Sequence, residues 1–86
     1  MFQETLTIKN PTGLHSRPAS MLTQLCRKFK SDITIITNDK IINPKSIVSL
    51  LSAGVKPGTE IELRVTGPDE DEAGAKISNL INNLSE

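Results

Sequence analysis

Apolar and polar positions change period several times along the chain, and each change marks an element. From residue 2 to residue 8 they alternate. Phe2, Leu6 and Ile8 fall on one side and Gln3, Thr5 and Thr7 on the other, with Glu4 the exception, which predicts a half-buried strand. Asn10-Pro11-Thr12-Gly13 reads as a turn, because Pro fixes φ and Gly permits positive φ. Beyond it the spacing becomes helical: Ala19, Leu22, Cys26 and Phe29 recur at steps of three and four, with Met21 and Leu25 beside them. A helix is expected over about residues 16–28, with Pro18 in the first turn, where its missing N–H has no intrahelical role.

Residues 33–37 are β-branched throughout and predict a second strand. Asn38-Asp39 supplies turn residues, and residues 40–43 read as a short return strand completing a hairpin. Pro44-Lys45-Ser46 breaks the extended run. Ser46 stands where a helix N-cap belongs, and Gly54 where the short helix after it should stop. After the turn at Lys56-Pro57-Gly58, residues 60–66 alternate cleanly, so that Ile61, Leu63 and Val65 face the core. Acidic residues crowd positions 69–72, the favourable end of a last helix whose buried stripe is Ala73, Ile77, Leu80, Ile81 and Leu84. The order strand, helix, strand, strand, helix, strand, helix, with one sheet face left polar, predicts an open-faced α+β sandwich. Strand order is not readable from the pattern.

Composition narrows the function. With 86 residues the chain is expected to form one small domain, spanning 1–86. Lys+Arg and Asp+Glu number 10 each, so no net charge draws it to nucleic acid or anionic lipid. Phe2 and Phe29 are the only aromatic rings besides His15, too few for stacking on bases. The single cysteine excludes an internal disulfide and a Cys-rich zinc site, and Cys26 reads as core. No signal peptide and no stretch of membrane-spanning length is visible, so a soluble, cytoplasmic protein is expected, with no membrane insertion.

The candidate chemistry lies at the first helix. His15, the only histidine, falls at or just before its N-terminus, where unpaired backbone N–H groups favour an anion. Arg17 adds a planar, permanent cation able to pair with two phosphate oxygens. A lone histidine at such a place is most often a solvated surface residue, and the physics of these residues alone favours that plainer reading. Ser46 likewise reads first as a cap, and a phosphate on its hydroxyl would sit on a helix N-terminus beside Lys45. Ile47, Val48, Leu50 and Leu51 crowd a helix too short to bury them all.

Gly13-Leu14-His15-Ser16-Arg17-Pro18-Ala19 resembles the active-site signature of the HPr family, the histidine-containing phosphocarriers of the bacterial phosphoenolpyruvate:sugar phosphotransferase system. The element order resembles that family over essentially the whole chain. The resemblance implies an HPr-like open-faced sandwich with four antiparallel strands and three helices on one face. It implies a carrier rather than an enzyme, with no cofactor and no metal. His15 would accept a phosphoryl group, on Nδ1, from phosphorylated enzyme I and pass it to a histidine of an enzyme IIA domain of a sugar transporter. Backbone N–H groups at Ser16 and Arg17, with the Arg17 side chain, would hold the phosphate oxygens. Family members of many Gram-positive bacteria are phosphorylated at the serine matching Ser46 by an HPr kinase/phosphorylase. The modified protein then resists histidine phosphorylation and binds a transcriptional regulator, serving carbon catabolite regulation. Ile47, Val48 and Leu51 match an exposed patch on which partners dock, Leu50 is expected in the core, and Arg27 and Lys28 are candidates for the rim. A monomer is expected. The chain departs from the family at Ser16, at Asp39 where glycine is usual, and at Pro44.

Rival readings are a carrier in a nitrogen- or dihydroxyacetone-linked relay, and a regulatory paralogue acting through Ser46, against which the presence of His15 counts. An RNA-binding module lacks charge and aromatics, and a hydrolase lacks a carboxylate placed for His15. No Gly-rich phosphate loop is present, and a metal site would have to be made of carboxylates alone.

Overall fold

The computed structural model describes residues 1–85. Seven elements follow in order: β1 (Phe2–Thr7), α1 (Ser16–Cys26), β2 (Asp32–Thr37), β3 (Lys40–Ile42), α2 (Ile47–Ala53), β4 (Glu60–Thr66) and α3 (Glu70–Asn82). The strands form one antiparallel sheet in the order β1-β4-β2-β3. The three helices cover one face, giving the expected open-faced sandwich. β4 runs through the middle, and its alternation is realised: Ile61, Leu63 and Val65 are buried while Glu60, Arg64 and Thr66 face water. On that open face Arg64 holds Glu62 at 2.8 Å, and Gln3 of the neighbouring strand donates to the same carboxylate.

Ala19, Leu22 and Cys26 of α1 and Ala73, Ile77 and Ile81 of α3 meet the sheet, each at most 1% exposed. Leu80 and Leu84, expected in the same stripe, are half-buried at its margin. The Cys26 thiol is pushed up to about 12, chiefly by burial, so it is an inert packing group. Three predicted elements run short, the first being β1, which stops at Thr7 rather than Ile8. α1 ends at Cys26 rather than near 28, because Arg27, Lys28 and Phe29 turn their N–H groups to Thr23, Leu25 and Cys26 in a tightening last turn. β3 stops at Ile42 because the Asn43 N–H is taken by the Ser49 hydroxyl at 3.0 Å and Pro44 has no N–H to offer. The hairpin turn needs positive φ at both central residues, and Asn38 (45°) and Asp39 (69°) supply it without glycine.

Asp69 closes the far end of the sandwich. It stands at the α3 N-cap, yet its carboxylate makes no cap bond and instead accepts from the Lys30 N–H at 2.9 Å, the Ser31 N–H at 3.0 Å and the Ser31 hydroxyl. The Ser31 hydroxyl first, then the Lys30 N–H, hold this carboxyl below its ordinary value of 3.8. A carboxylate favoured in the folded state stabilises it fully above the ordinary value, and that stabilisation drains away as pH falls from there through the lower folded-state value. The expected result is a thermal midpoint that drops below pH 4 more steeply in the wild type than in Asp69→Asn, as read by circular dichroism melts. Parallel curves would remove Asp69 from the acid response.

Candidate functional site

The segment between β1 and α1 is fixed from both sides. The Ile8 N–H donates to the Thr59 carbonyl at 2.9 Å and the Gly58 N–H to the Ile8 carbonyl at 2.7 Å. Asn10, read from sequence only as a turn residue, is 2% exposed, and its side-chain amide donates to the Gly13 carbonyl at 2.7 Å. The Leu14 N–H reaches the Val55 carbonyl at 3.0 Å, and the Leu14 side chain is sunk in the core. Gly13 has φ +67°, and a Cβ there would lie 2.4 Å from the Val55 carbonyl oxygen that Leu14 uses. Gly13→Ala thus combines left-handed strain with a backbone collision. It is expected to cost about 2 kcal/mol and to disorder the segment before α1. Chemical denaturation checks the first, and loss of protection of the Leu14 amide in hydrogen exchange checks the second.

His15 follows as the N-cap of α1, with extended backbone (φ −82°, ψ −170°) and its carbonyl accepting from the Ala19 N–H at 2.8 Å. Its ring is exposed, makes no cap bond, and has Nδ1 3.3 Å from the Ser16 hydroxyl. Arg17 is exposed one residue further on, whereas Pro18 and Ala19 turn inward. The structure therefore brings His15, Ser16 and Arg17 together on the first turn, as expected. His15 also borders a shallow depression of about 160 Å³ with Thr12, Leu51, Lys56 and Pro57. Lys56 and Pro57 were legible only as a turn; nothing in their spacing placed them beside a histidine 41 residues earlier.

α2 is capped at both ends. The Ser46 hydroxyl accepts from the Ser49 N–H at 3.2 Å, and Gly54 takes the left-handed conformation that ends the helix. Leu50 is fully buried, Val48 is 69% and Leu51 42% exposed, and Ile47 is half-buried. Leu51 lines the His15 depression, so the apolar patch and the histidine share one surface. Met21, assigned from sequence to the flank of the α1 core stripe, is 44% exposed. One expectation is corrected. Lys45 does not stand over Ser46: its ammonium donates to the Phe29 and Ser31 carbonyls at 2.9 and 2.8 Å, closing the α1–β2 connection. The cation tied to the backbone next to Ser46 is Arg27, whose Nε donates to the Lys45 carbonyl at 2.8 Å.

The balanced charge conceals a segregation. Residues 5–31 and 40–59, which include α1 and α2, hold eight of the ten Lys and Arg and none of the ten Asp and Glu. The acidic groups lie instead on β4, at the hairpin, around the start of α3 and near the two ends of the chain. An exposed imidazole bordered by cations and an apolar patch can receive a doubly charged phosphate from another protein surface. Among the described residues no group of three or more His, Cys, Asp or Glu gathers to hold a metal, and no helix is long and apolar enough to cross a membrane.

The family model described as the PTS HPr component phosphorylation site matches residues 2–83. The phosphocarrier protein HPr of Neisseria meningitidis serogroup A is 39% identical over 82 residues, covering 95% of this chain and 92% of that protein. A solved structure of HPr from Thermoanaerobacter tengcongensis superposes with a TM-score of 0.92 at 41% identity, covering 95% of this chain and 92% of that one. The catabolite repression protein Crh of Bacillus subtilis, described as a swapped, intertwined dimer, superposes with a TM-score of 0.78 at 35% identity over 100% of this chain and 99% of that one.

Proposed function

Since the chain belongs to the HPr family, the phosphocarriers of the phosphotransferase system, we propose that its His15 takes a phosphoryl group from phosphorylated enzyme I and delivers it to a histidine of an enzyme IIA domain. The observation that carries this reading is the placement of the ring: exposed, at the N-cap of α1, with Arg17 on the same turn. The leading N–H groups of that turn and the guanidinium provide positive charge where phosphate oxygens would lie. Chemistry of this kind asks for positioning and charge compensation rather than an acid–base residue. The missing half of the site belongs to the partner, so the protein alone turns nothing over.

Ile47, Val48 and Leu51 are the proposed docking patch, supported by their exposure around the buried Leu50 and by the contact of Leu51 with the histidine's depression. The cations of α1 and its neighbours suit acidic partner surfaces. Val48→Asp is expected to raise the KM for transfer from enzyme I about tenfold, as loss of one anchoring contact does, while leaving the melting temperature nearly unchanged. Ser46 is the proposed regulatory site, modified by an ATP-dependent HPr kinase/phosphorylase and then recognised by a transcriptional regulator; the place of its hydroxyl at the α2 N-cap and the nearby Arg27 support it. We place the protein in the cytoplasm as a monomeric domain over 1–86. The rival relays, nitrogen- or dihydroxyacetone-linked, would use the same residues with other partners.

The test is incubation with purified enzyme I and radiolabelled phosphoenolpyruvate. One acid-labile, alkali-stable phosphoryl group per chain supports the reading. Folded protein that takes no label beside a control carrier that does overturns it.

A further inference from the structure

Among the described residues, the ring of His15 has one hydrogen-bonding neighbour, the Ser16 hydroxyl 3.3 Å from Nδ1. A hydroxyl can donate or accept, and the choice fixes which ring nitrogen keeps its lone pair. The surroundings decide it. His15 is the N-cap of α1, and its Nδ1, the ring atom beside Ser16, lies at the end of the helix where the leading N–H groups concentrate positive charge. Pro18 removes one of those donors by having no N–H, so no backbone group competes from that position. An N–H at Nδ1 would point into dipoles of its own sign, whereas a lone pair there is welcomed. The hydroxyl is therefore the donor.

We propose that Ser16 is a positioning residue: its hydroxyl donates to His15 Nδ1, holds the neutral ring in the tautomer protonated at Nε2, and keeps the nucleophilic pair on Nδ1. Adjacency of Ser16 and His15 in the chain and on the turn makes the bond local and independent of any partner. During transfer from a phosphohistidine, the Nδ1 pair forms the new N–P bond. The donor's N–P bond breaks and leaves its pair on the donor nitrogen. Nε2 keeps its proton through the step, and the positive charge passes to the His15 ring. The hydroxyl, freed from Nδ1, turns to donate to a phosphoryl oxygen. This inference rests on the reading of His15 as the phosphoryl acceptor only for its consequence in transfer; the tautomer itself is a property of the free protein.

The experiment reads that property directly. His15 is the only histidine, so in an untagged, nitrogen-15-labelled chain every imidazole signal in a long-range proton–nitrogen correlation spectrum belongs to it. At a pH where titration shows the ring neutral, the ratio of Nε2–H to Nδ1–H forms is expected to be roughly threefold higher in wild type than in Ser16→Ala, the worth of one exposed hydrogen bond. Ser16→Thr, which keeps the hydroxyl, is expected to restore the ratio. Equal ratios in wild type and Ser16→Ala, or a wild-type ring carrying its proton on Nδ1, would overturn the proposal. Amide spectra of the variants establish that they are folded. Because no phosphoryl donor is present, a normal tautomer shift in a protein that refuses phosphate would count against the carrier assignment and leave this one standing.

Discussion

His15→Ala is expected to reduce phosphoryl uptake from phosphoenolpyruvate and enzyme I to background, with little change in stability. The reason for the first is that nothing nearby replaces the ring. The Ser16 hydroxyl has no adjacent base to activate it, and Cys26, the other candidate nucleophile, is wholly buried with its thiol pushed up to about 12. The reason for the second is that the ring is exposed and makes no cap bond, while the backbone carbonyl that receives the Ala19 N–H survives the substitution. Changes at such a position fall within about 0.5 kcal/mol. The pair of results, measured by radiolabel and by thermal melt on the same preparation, separates a lost acceptor from a lost fold. Residual acid-labile label on the variant would move the phosphoryl group to another residue and remove His15 from the centre of the proposal.

The largest stability effect is expected at Leu63. It sits midway along β4, opposite Glu4 of β1 and Ile35 of β2, with no exposure. Its alanine variant loses three carbons from the middle of the cluster formed by sheet and helices. A cavity at a site braced on both sides by hydrogen-bonded strands collapses poorly, so the cost lies near the middle of the range for such truncations, about 3–4 kcal/mol. For a domain of this length that amounts to a fall in melting temperature of roughly 12–32 °C, against a total stability on the order of 5–10 kcal/mol. Val48→Ala, at 69% exposure, is the control and is expected to leave the transition within about 0.5 kcal/mol. A Leu63→Ala loss below about 1 kcal/mol would mean that the two layers close over the gap.

Period and punctuation were enough for most of the architecture. The alternation of residues 60–66 identified Ile61, Leu63 and Val65 as the inner row of the central strand, and Gly54 announced the end of α2, because both are local properties. Strand order was not legible, since which strands pair depends on contacts between segments far apart in the chain; β1 and β4 are joined across more than fifty residues. The same limit governs the site. His15, Ser16 and Arg17 are consecutive or nearly so and could be found together, and the family resemblance of their heptapeptide gave them a role to test. Lys56 and Pro57 reach the histidine only through folding, and the carboxylate of Asp69 serves Lys30 and Ser31 instead of its own helix. Lys45 was misplaced for a related reason: a flexible side chain follows the nearest unsatisfied carbonyls, here those of Phe29 and Ser31, and not its neighbour in sequence. The charge totals misled in their own way, because a sum discards position.

That discarded position has a mechanical meaning. A molecule with formal charge zero feels almost no net pull in a uniform field, but one whose cations gather around α1 and α2 and whose anions gather elsewhere feels a torque. Near an acidic surface it turns before it is drawn in, and the turn brings the α1 and α2 side foremost. Orientation then precedes contact, and a smaller share of encounters is spent on the faces that carry the acidic groups.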